Sequence, residues 1–381
     1  MPRARLPYPA GVPAPLLLHV FPTFVPGGAQ VRTVRLMAAF GDAYRHAVLA
    51  LDGQTSAREL VPGEVDLELL PPFPKAGGFA TVRALREILS TLRPDLVCTY
   101  NWGAMDAVLA GRLFLAGRVI HHEDGFGPDE ADGFKRRRVW MRRWMLPRAN
   151  AVVVPSFTLA ELARDLWKLP DRCVFRIANG IRIEEFPAAD GQPALRAELG
   201  IPTSAFCVGY VGHLRAEKNP VRFVQAFAEL SDRGAHGLVL GEGGEREAVE
   251  RCARELGVAD RVHLVGHQKE TSRYYRAMDA FCISSNTEQM PVSLLEAMAA
   301  HLPVVSTDVG DVARIVPPSQ RDLVVPCDAS ALARALEGVA AAPEERRERG
   351  RENHAHVRAT YSFETMLEAY RERYDAALAG R

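Results

Sequence analysis

The 381-residue chain has few of the signatures that settle a function early. Its six cysteines (Cys98, Cys173, Cys207, Cys252, Cys282 and Cys327) are scattered, without a CxxC pair or any metal-ligand spacing. That excludes a zinc ribbon or disulfide framework and predicts small buried hydrophobes in a reducing compartment. Neither sign of charge is in excess. Because 47 Lys and Arg balance 47 Asp and Glu, no global field recruits nucleic acid, and any attraction is local. No apolar run approaches the ~20 residues of a transmembrane helix. The amino terminus, MPRARLPYPAGVPAPLLLHVF, opens like a signal peptide, but prolines break it and no small-residue cleavage site follows. It predicts a loose tail leading into a buried strand. P-loop, GxSxG and HExxH motifs are all missing, and Gly241–Arg246 fails the dinucleotide GxGxxG pattern because Arg246 takes the third glycine place.

What is present is rhythm. With 48% hydrophobic and 25% charged residues the chain can bury two cores. Apolar strand-like runs such as Leu16–Phe21, Asp95–Tyr100, Arg118–His122 and Ala280–Ile283 alternate with segments of helical period. This βαβ pattern predicts an α/β protein of two Rossmann-like domains with parallel sheets and a cleft between them. The Pro/Ala/Gly-rich stretch 186–194 predicts a linker. The expected domains are residues 1–187, with a carboxyl-terminal helix at 362–381 packing back on them, and residues 194–361.

Polar residues gather where strands end, the place where open α/β sheets bind ligands. Gly27-Gly28 opens a helix after the first strand, which suits phosphate or a plain tight turn. The strand ending at His122 runs into HHEDGFGPDEADG, where His121, His122, Glu123 and Asp124 stand together. In the second half, Lys218 lies near a helix start and supplies positive charge suited to a diphosphate. Glu288 and Glu296, eight positions apart, sit at the mouth and on the first turns of one helix. There Glu296 suits paired ribose hydroxyls and Glu288 a sugar. KRRRVWMRRWMLPR (135–148) holds seven basic residues and no acid, with Trp140 and Trp144 on one helical face. Three readings stand for it: a solvated helix packed by its Trp side, a surface for nucleic acid, or one for anionic lipid or a phosphorylated acceptor. The third names Arg137, Arg138, Trp140, Arg142, Arg143 and Trp144 as a membrane or acceptor surface.

The Glu288–Glu296 spacing, the Gly27-Gly28 loop, Asn179-Gly180-Ile181, GxLxxxK at Gly212–Lys218, GEGGER at Gly241–Arg246 and EAMAxxxPVVxTDVG at Glu296–Gly310 together resemble the retaining family-4 glycosyltransferases of GT-B architecture. The resemblance spans nearly the whole chain. It implies transfer of a sugar from a nucleotide sugar, UDP-sugar by preference, to a glycan or lipid-linked acceptor, with no metal and no other cofactor. It assigns Glu296 to the ribose, Lys218 and Gly28 to the diphosphate, and Glu288 to the donor sugar. The backbone of Gln289, Met290, Pro291 and Val292 falls to sugar and phosphates, and that of Gly266, His267 and Gln268 to the base. His122, with Asp124, takes the acceptor side, although His121 competes. His213 stands where the family often has Arg, so Arg215 is expected to supply that cation, and Glu-Gln-Met-Pro replaces the usual EPFG. A role in surface polysaccharide or glycolipid synthesis, in the cytoplasm and peripheral to the membrane, follows as expectation. A nucleotide-sugar epimerase or a non-catalytic nucleotide-sugar-binding protein are the alternatives.

Overall fold

A computed structural model of the chain describes residues 13–72, 78–114, 118–125 and 135–380. The predicted tail through residue 12 and the distal histidine loop, 126–134, lie outside them. The chain divides into two compact units, one running to Ala178 and resuming at Leu367, the other Asn179–Met366. In the first, seven strands form one sheet: β1 (Leu16–Phe21), β2 (Arg45–Ala50), β3 (Leu67–Leu69), β4 (Leu96–Tyr100), β5 (Val119–His122), β6 (Ala151–Val154) and β7 (Val174–Arg176), in the order β3-β2-β1-β4-β5-β6-β7. The second sheet has β8 (Cys207–Val211), β9 (His236–Leu240), β10 (Val262–Gly266), β11 (Ala280–Ile283), β12 (Val304–Thr307) and β13 (Val324–Val325), ordered β10-β9-β8-β11-β12-β13. Every strand pairing is parallel. The two Rossmann-like sheets expected from the rhythm are there.

The residues account for this. LLLHVF and AFCI are buried at every position, and such runs need helices over both faces. Parallel neighbours in turn need crossover helices, of which Gly28–Phe40 between β1 and β2 is the first. In each sheet the strand order reverses once, between β1 and β4 and between β8 and β11. At such a switch point the adjoining loops part and leave room for a ligand.

The stretch 186–194 is no free linker. Ala189 donates its N–H to the Ala300 carbonyl at 3.0 Å, Gly191 to that of Arg276 at 2.9 Å, and Asp190 pairs with the Arg276 side chain. A short helix, Pro193–Glu198, starts inside it with proline in its first turn, where no N–H is needed. Asn179-Gly180-Ile181 belongs to the second unit, with Ile181 bridging Ser362. The last helix, Phe363–Leu378, leaves that unit and from Leu367 belongs to the first, where Tyr44 donates its hydroxyl to Asp375 at 2.7 Å.

Candidate active-site residues in each unit

In the second unit, the loops after β8 and β11 meet at the switch point. Lys218 Nζ donates to Glu288 Oε2 at 2.5 Å, and Ser285 Oγ donates to Glu288 Oε1 at 2.8 Å. The cation and carboxylate that sequence placed 70 residues apart therefore form one pair. Glu288 precedes the helix Val292–Ala299 by four positions, so it stands in the loop at the helix mouth, as expected. Several bonds fasten that loop. Arg222 Nη1 donates to the Ser284 carbonyl at 2.8 Å, Asn286 N–H to that of Glu217 at 2.8 Å, and Thr307 Oγ1 to that of Ser285 at 2.8 Å. Gly310, at φ +55°, lies so close beneath that a Cβ there would meet the Glu288 carbonyl oxygen at 2.2 Å.

Glu296 sits mid-helix and accepts the Tyr275 hydroxyl at 2.9 Å. Burial and that carboxylate raise the Tyr275 phenol well above its ordinary range, so Tyr275 stays a donor. Met290 and Pro291 are buried at the helix entry, where Met290 accepts from Asn179, and the Gln289 carbonyl accepts the Asp311 N–H. Val292 is partly covered. His213 and Arg215 are exposed on the β8 loop, and Arg215 lies 3.9 Å from Glu217. Gly266, at φ +73°, ends β10 and leads to exposed His267, while Gln268 turns back to the Val265 carbonyl.

In the first unit, Gly28 begins its helix with nothing within 4 Å of where a Cβ would stand. One turn on, Arg32 forks onto Asp124, with Nη1–Oδ1 at 2.5 Å and Nη2–Oδ2 at 3.0 Å. Burial alone would raise the Asp124 carboxyl, but the guanidinium outweighs it and holds the group below the carboxylate range. Asn101, just after β4 at φ +56°, donates its N–H to the His122 carbonyl at 2.7 Å, and its Oδ1 accepts the Asp124 N–H at 2.8 Å. His122 is buried between the Tyr100 ring, stacked at 4.5 Å, and the Tyr370 ring at 5.8 Å. Its Nδ1 donates to the Thr99 carbonyl at 3.1 Å, which leaves Nε2 the acceptor. Burial, helped by Arg32, lowers its pKa to about 3, so the ring is neutral. His121 faces elsewhere, to Thr99 Oγ1 at 2.9 Å and Glu123 at 3.5 Å. Of the two histidines only His122 stands in the Tyr100–Tyr370 stack beside Arg32 and Asp124.

The basic helix, Arg136–Met145, requires two corrections. Arg142 is no surface cation. It is fully buried, with Nε 3.1 Å from Glu123 and its guanidinium between the Trp102 and Trp167 rings. Arg138 is half-buried over Trp102 at 5.0 Å. Val139, Arg142 and Met145 form the inward stripe, and their i, i+3 spacing was the available signal. Trp140 and Trp144 do share a face, but an exposed one, so the packed-Trp reading fails. Arg137 and Arg143 are exposed as expected. Sequence reasoning also missed Arg32, Tyr275, Arg222 and Tyr370, whose partners lie far along the chain, and Ser285, three residues from Glu288. Among the described residues no group of three His, Cys, Asp or Glu could hold a metal ion, and no helix is long and apolar enough to cross a membrane.

Residues 27–180 match the glycosyl transferase 4-like domain, and residues 191–356 match glycosyl transferases group 1. The lipopolysaccharide core biosynthesis glycosyltransferase LpsE of Rhizobium meliloti is 30% identical over 58% of this chain and 63% of its own length. D-inositol 3-phosphate glycosyltransferase of Streptomyces scabiei is 30% identical over 57% of this chain and 52% of its own. The match thus spans between half and two-thirds of these relatives. In fold, the chain superposes on Anabaena HepE, solved with UDP, at a TM-score of 0.81 and 18% identity, over 94% of this chain and 99% of that one. These matches support a family-4-type glycosyltransferase of GT-B architecture.

Proposed function

We propose that the chain transfers a sugar from a nucleotide sugar, with UDP-sugars preferred, to a glycan or lipid-linked acceptor with retention of configuration, in the synthesis of a surface polysaccharide or glycolipid. The observation that carries this is the Lys218–Glu288 pair at the β8–β11 switch point. A cation and a carboxylate in contact there can serve, respectively, a departing diphosphate and the hydroxyls of the sugar it leaves. Lys218 neutralises developing phosphate charge as a point cation, the largest contribution expected in a reaction that builds charge on its leaving group. Glu288, steadied by Ser285, holds the donor sugar. Glu296, oriented by Tyr275, takes the ribose hydroxyls. His213, Arg215 and the backbone of Gly266 and His267 contribute to the nucleotide, and Gln289–Val292 to sugar and phosphates. Gly28 leaves its helix N-terminus open to phosphate. His122 acts as a neutral hydrogen-bond acceptor on the acceptor side. Asp124, bound through both oxygens to Arg32, fixes charge there without serving as a base. No metal or further cofactor is needed for these roles.

Support from relatives is consistent: two named above act in lipopolysaccharide core synthesis and on inositol phosphate, and the HepE structure carries UDP. The test is a panel of UDP-, GDP- and ADP-sugars, scored by melting-temperature shift and by nucleotide release with and without acceptor glycolipids. A UDP-sugar should raise the melting temperature and release UDP faster with acceptor present. Conversion of the sugar with no acceptor would favour an epimerase, and binding without release would favour a non-catalytic protein.

A further inference from the structure

Two helices of the first unit expose large apolar side chains at one place. Trp140 is 64% and Trp144 46% exposed, with their rings parallel within 4° and centroids 6.3 Å apart. Arg112 lays its guanidinium over the Trp144 ring at 5.9 Å, joining that helix to the carboxyl end of the helix Met105–Phe114. The next two residues there, Leu113 and Phe114, are 60% and 39% exposed, and Arg86 stands over the Phe114 ring at 5.0 Å. On the helices Arg136–Met145 and Met105–Phe114 the described charges beside these rings are mainly arginines. Arg136, Arg137 and Arg143 are exposed, the helix Arg136–Met145 contains no acid, and the only acid of Met105–Phe114 is Asp106, in its opposite end turn.

We infer that this composite surface, built on Trp140, Trp144, Leu113 and Phe114 within a ring of arginines, docks the protein on an anionic lipid bilayer. Three features select that partner. Tryptophan pairs an apolar body with an N–H and settles at the level of lipid headgroups. Arginines flanking it meet phosphate while their stems lie along apolar surface. A protein partner would bring a shaped apolar face, whereas four protruding side chains on two helix ends fit a deformable one. The inference differs from a docking role for the whole basic helix, because Arg142 is committed to Glu123 and contributes nothing outside. It is also independent of the sugar chemistry, since none of these residues belongs to the proposed donor or acceptor machinery.

The test uses the full chain and sedimented vesicles, either pure phosphatidylcholine or with about one-third phosphatidylglycerol. The wild type should partition to the anionic vesicles at least ~10-fold more strongly, and about 0.5 M salt should remove most of that preference. R136E/R137E should lose ~10-fold or more, and its folding is safeguarded because both positions lie in the first turn, where glutamates suit the helix dipole. W140A/W144A, both exposed, should lose a similar factor at unchanged melting temperature, and their fluorescence should blue-shift on vesicles in the wild type. Equal binding to the two vesicle types, or wild-type partition by both variants, overturns the inference. So does patch-dependent binding of duplex DNA or self-association in place of vesicle binding.

Discussion

Asp124 in the first unit and Glu288 in the second are both carboxylates just beyond a parallel strand, each 2.5 Å from a cation, and there the likeness stops. Asp124 faces a rigid arginine fork on a buried helix, with both oxygens engaged. Glu288 meets the flexible stem of a lysine that is 29% exposed. Beside Asp124 the same pattern repeats inward, with Glu123 against Arg142 and His122 held neutral between two tyrosines. One fold, used twice, thus treats these two strand-end carboxylates in two ways. In the first unit the pair is set into a core, where it fixes shape. In the second it hangs on pinned loops, where it can change partners, since lysine is a point charge with three rotatable donors.

The comparison breaks most visibly at Arg142. Arg142→Ala should strip Glu123 of its buried partner and destabilise the first unit by about 3–5 kcal/mol. All four tryptophans of the chain, Trp102, Trp140, Trp144 and Trp167, lie in that unit, so their fluorescence follows its unfolding alone. The tryptophan midpoint in urea should fall while nucleotide binding by the second unit survives. Recovery in Glu123→Leu/Arg142→Met would confirm that the uncompensated charge is responsible, whereas an unmoved midpoint would mean the pair is not architectural.

Next in size is acid. His122 and His46 have native pKa values near 3 and 4 because burial disfavours their charged forms, against 6.5 when free. The unfolded chain therefore takes up protons first. Stability is complete above about pH 6.5, declines as pH falls, and levels off near the native values, a loss of about 2 kcal/mol per ring at pH 5. Asp124, lowered from 3.8, adds stability that disappears only below that value. In the second unit burial also lowers His213, His263 and His301, but none of these three is fully buried. Acid titration should show the tryptophan transition ahead of the remaining circular-dichroism change. The reverse order would sink the contrast.

A smaller change sharpens the second unit. Gly310→Ala places a Cβ at a positive φ and 2.2 Å from the Glu288 carbonyl. The left-handed backbone costs about 1–2 kcal/mol, and the Glu288 loop must also move. Nucleotide-sugar binding, read by melting-temperature shift, should weaken markedly, with tryptophan-monitored stability unchanged.

Much of this was legible in the chain, and the failures have causes. Leu16–Phe21 and Ala280–Ile283 match their strands because runs buried on both faces leave no choice of period. The alternating run at 65–70 yields only the short strand Leu67–Leu69, because it is an edge with solvent-facing side chains. Lys218 and Glu288 could be seen because loop polarity after an apolar strand is visible locally. That they touch was not, and neither was Arg32 on Asp124 across 92 residues, since contact order is invisible to periodicity. Arg142 is a different case: the charge of the helix as a whole suggests a solvent face, but the 3.6-residue stripe through Val139 and Met145 points this residue inward.

The smallest stability effect tests the most. Glu288→Gln keeps size and shape, and Ser285 can still donate to the amide oxygen, while the charge facing Lys218 is gone. With Lys218 partly exposed, solvent screens the pair, and the stability change should stay under about 1 kcal/mol. Nucleotide affinity should be kept or slightly raised, because Lys218 is then freer to meet a diphosphate. Sugar transfer should fall by about 10²-fold or more, the range for losing one preorganised charge at a reacting centre. Transfer rate and UDP affinity measured on the same variant separate the possibilities. If both stay at wild-type values, Glu288 is only a loop fastener like Arg222. If affinity collapses with transfer, the carboxylate shapes the nucleotide site and the sugar role belongs elsewhere. Only transfer lost with affinity retained makes the second unit's mobile charge a working part, in contrast to the fixed charge of Asp124.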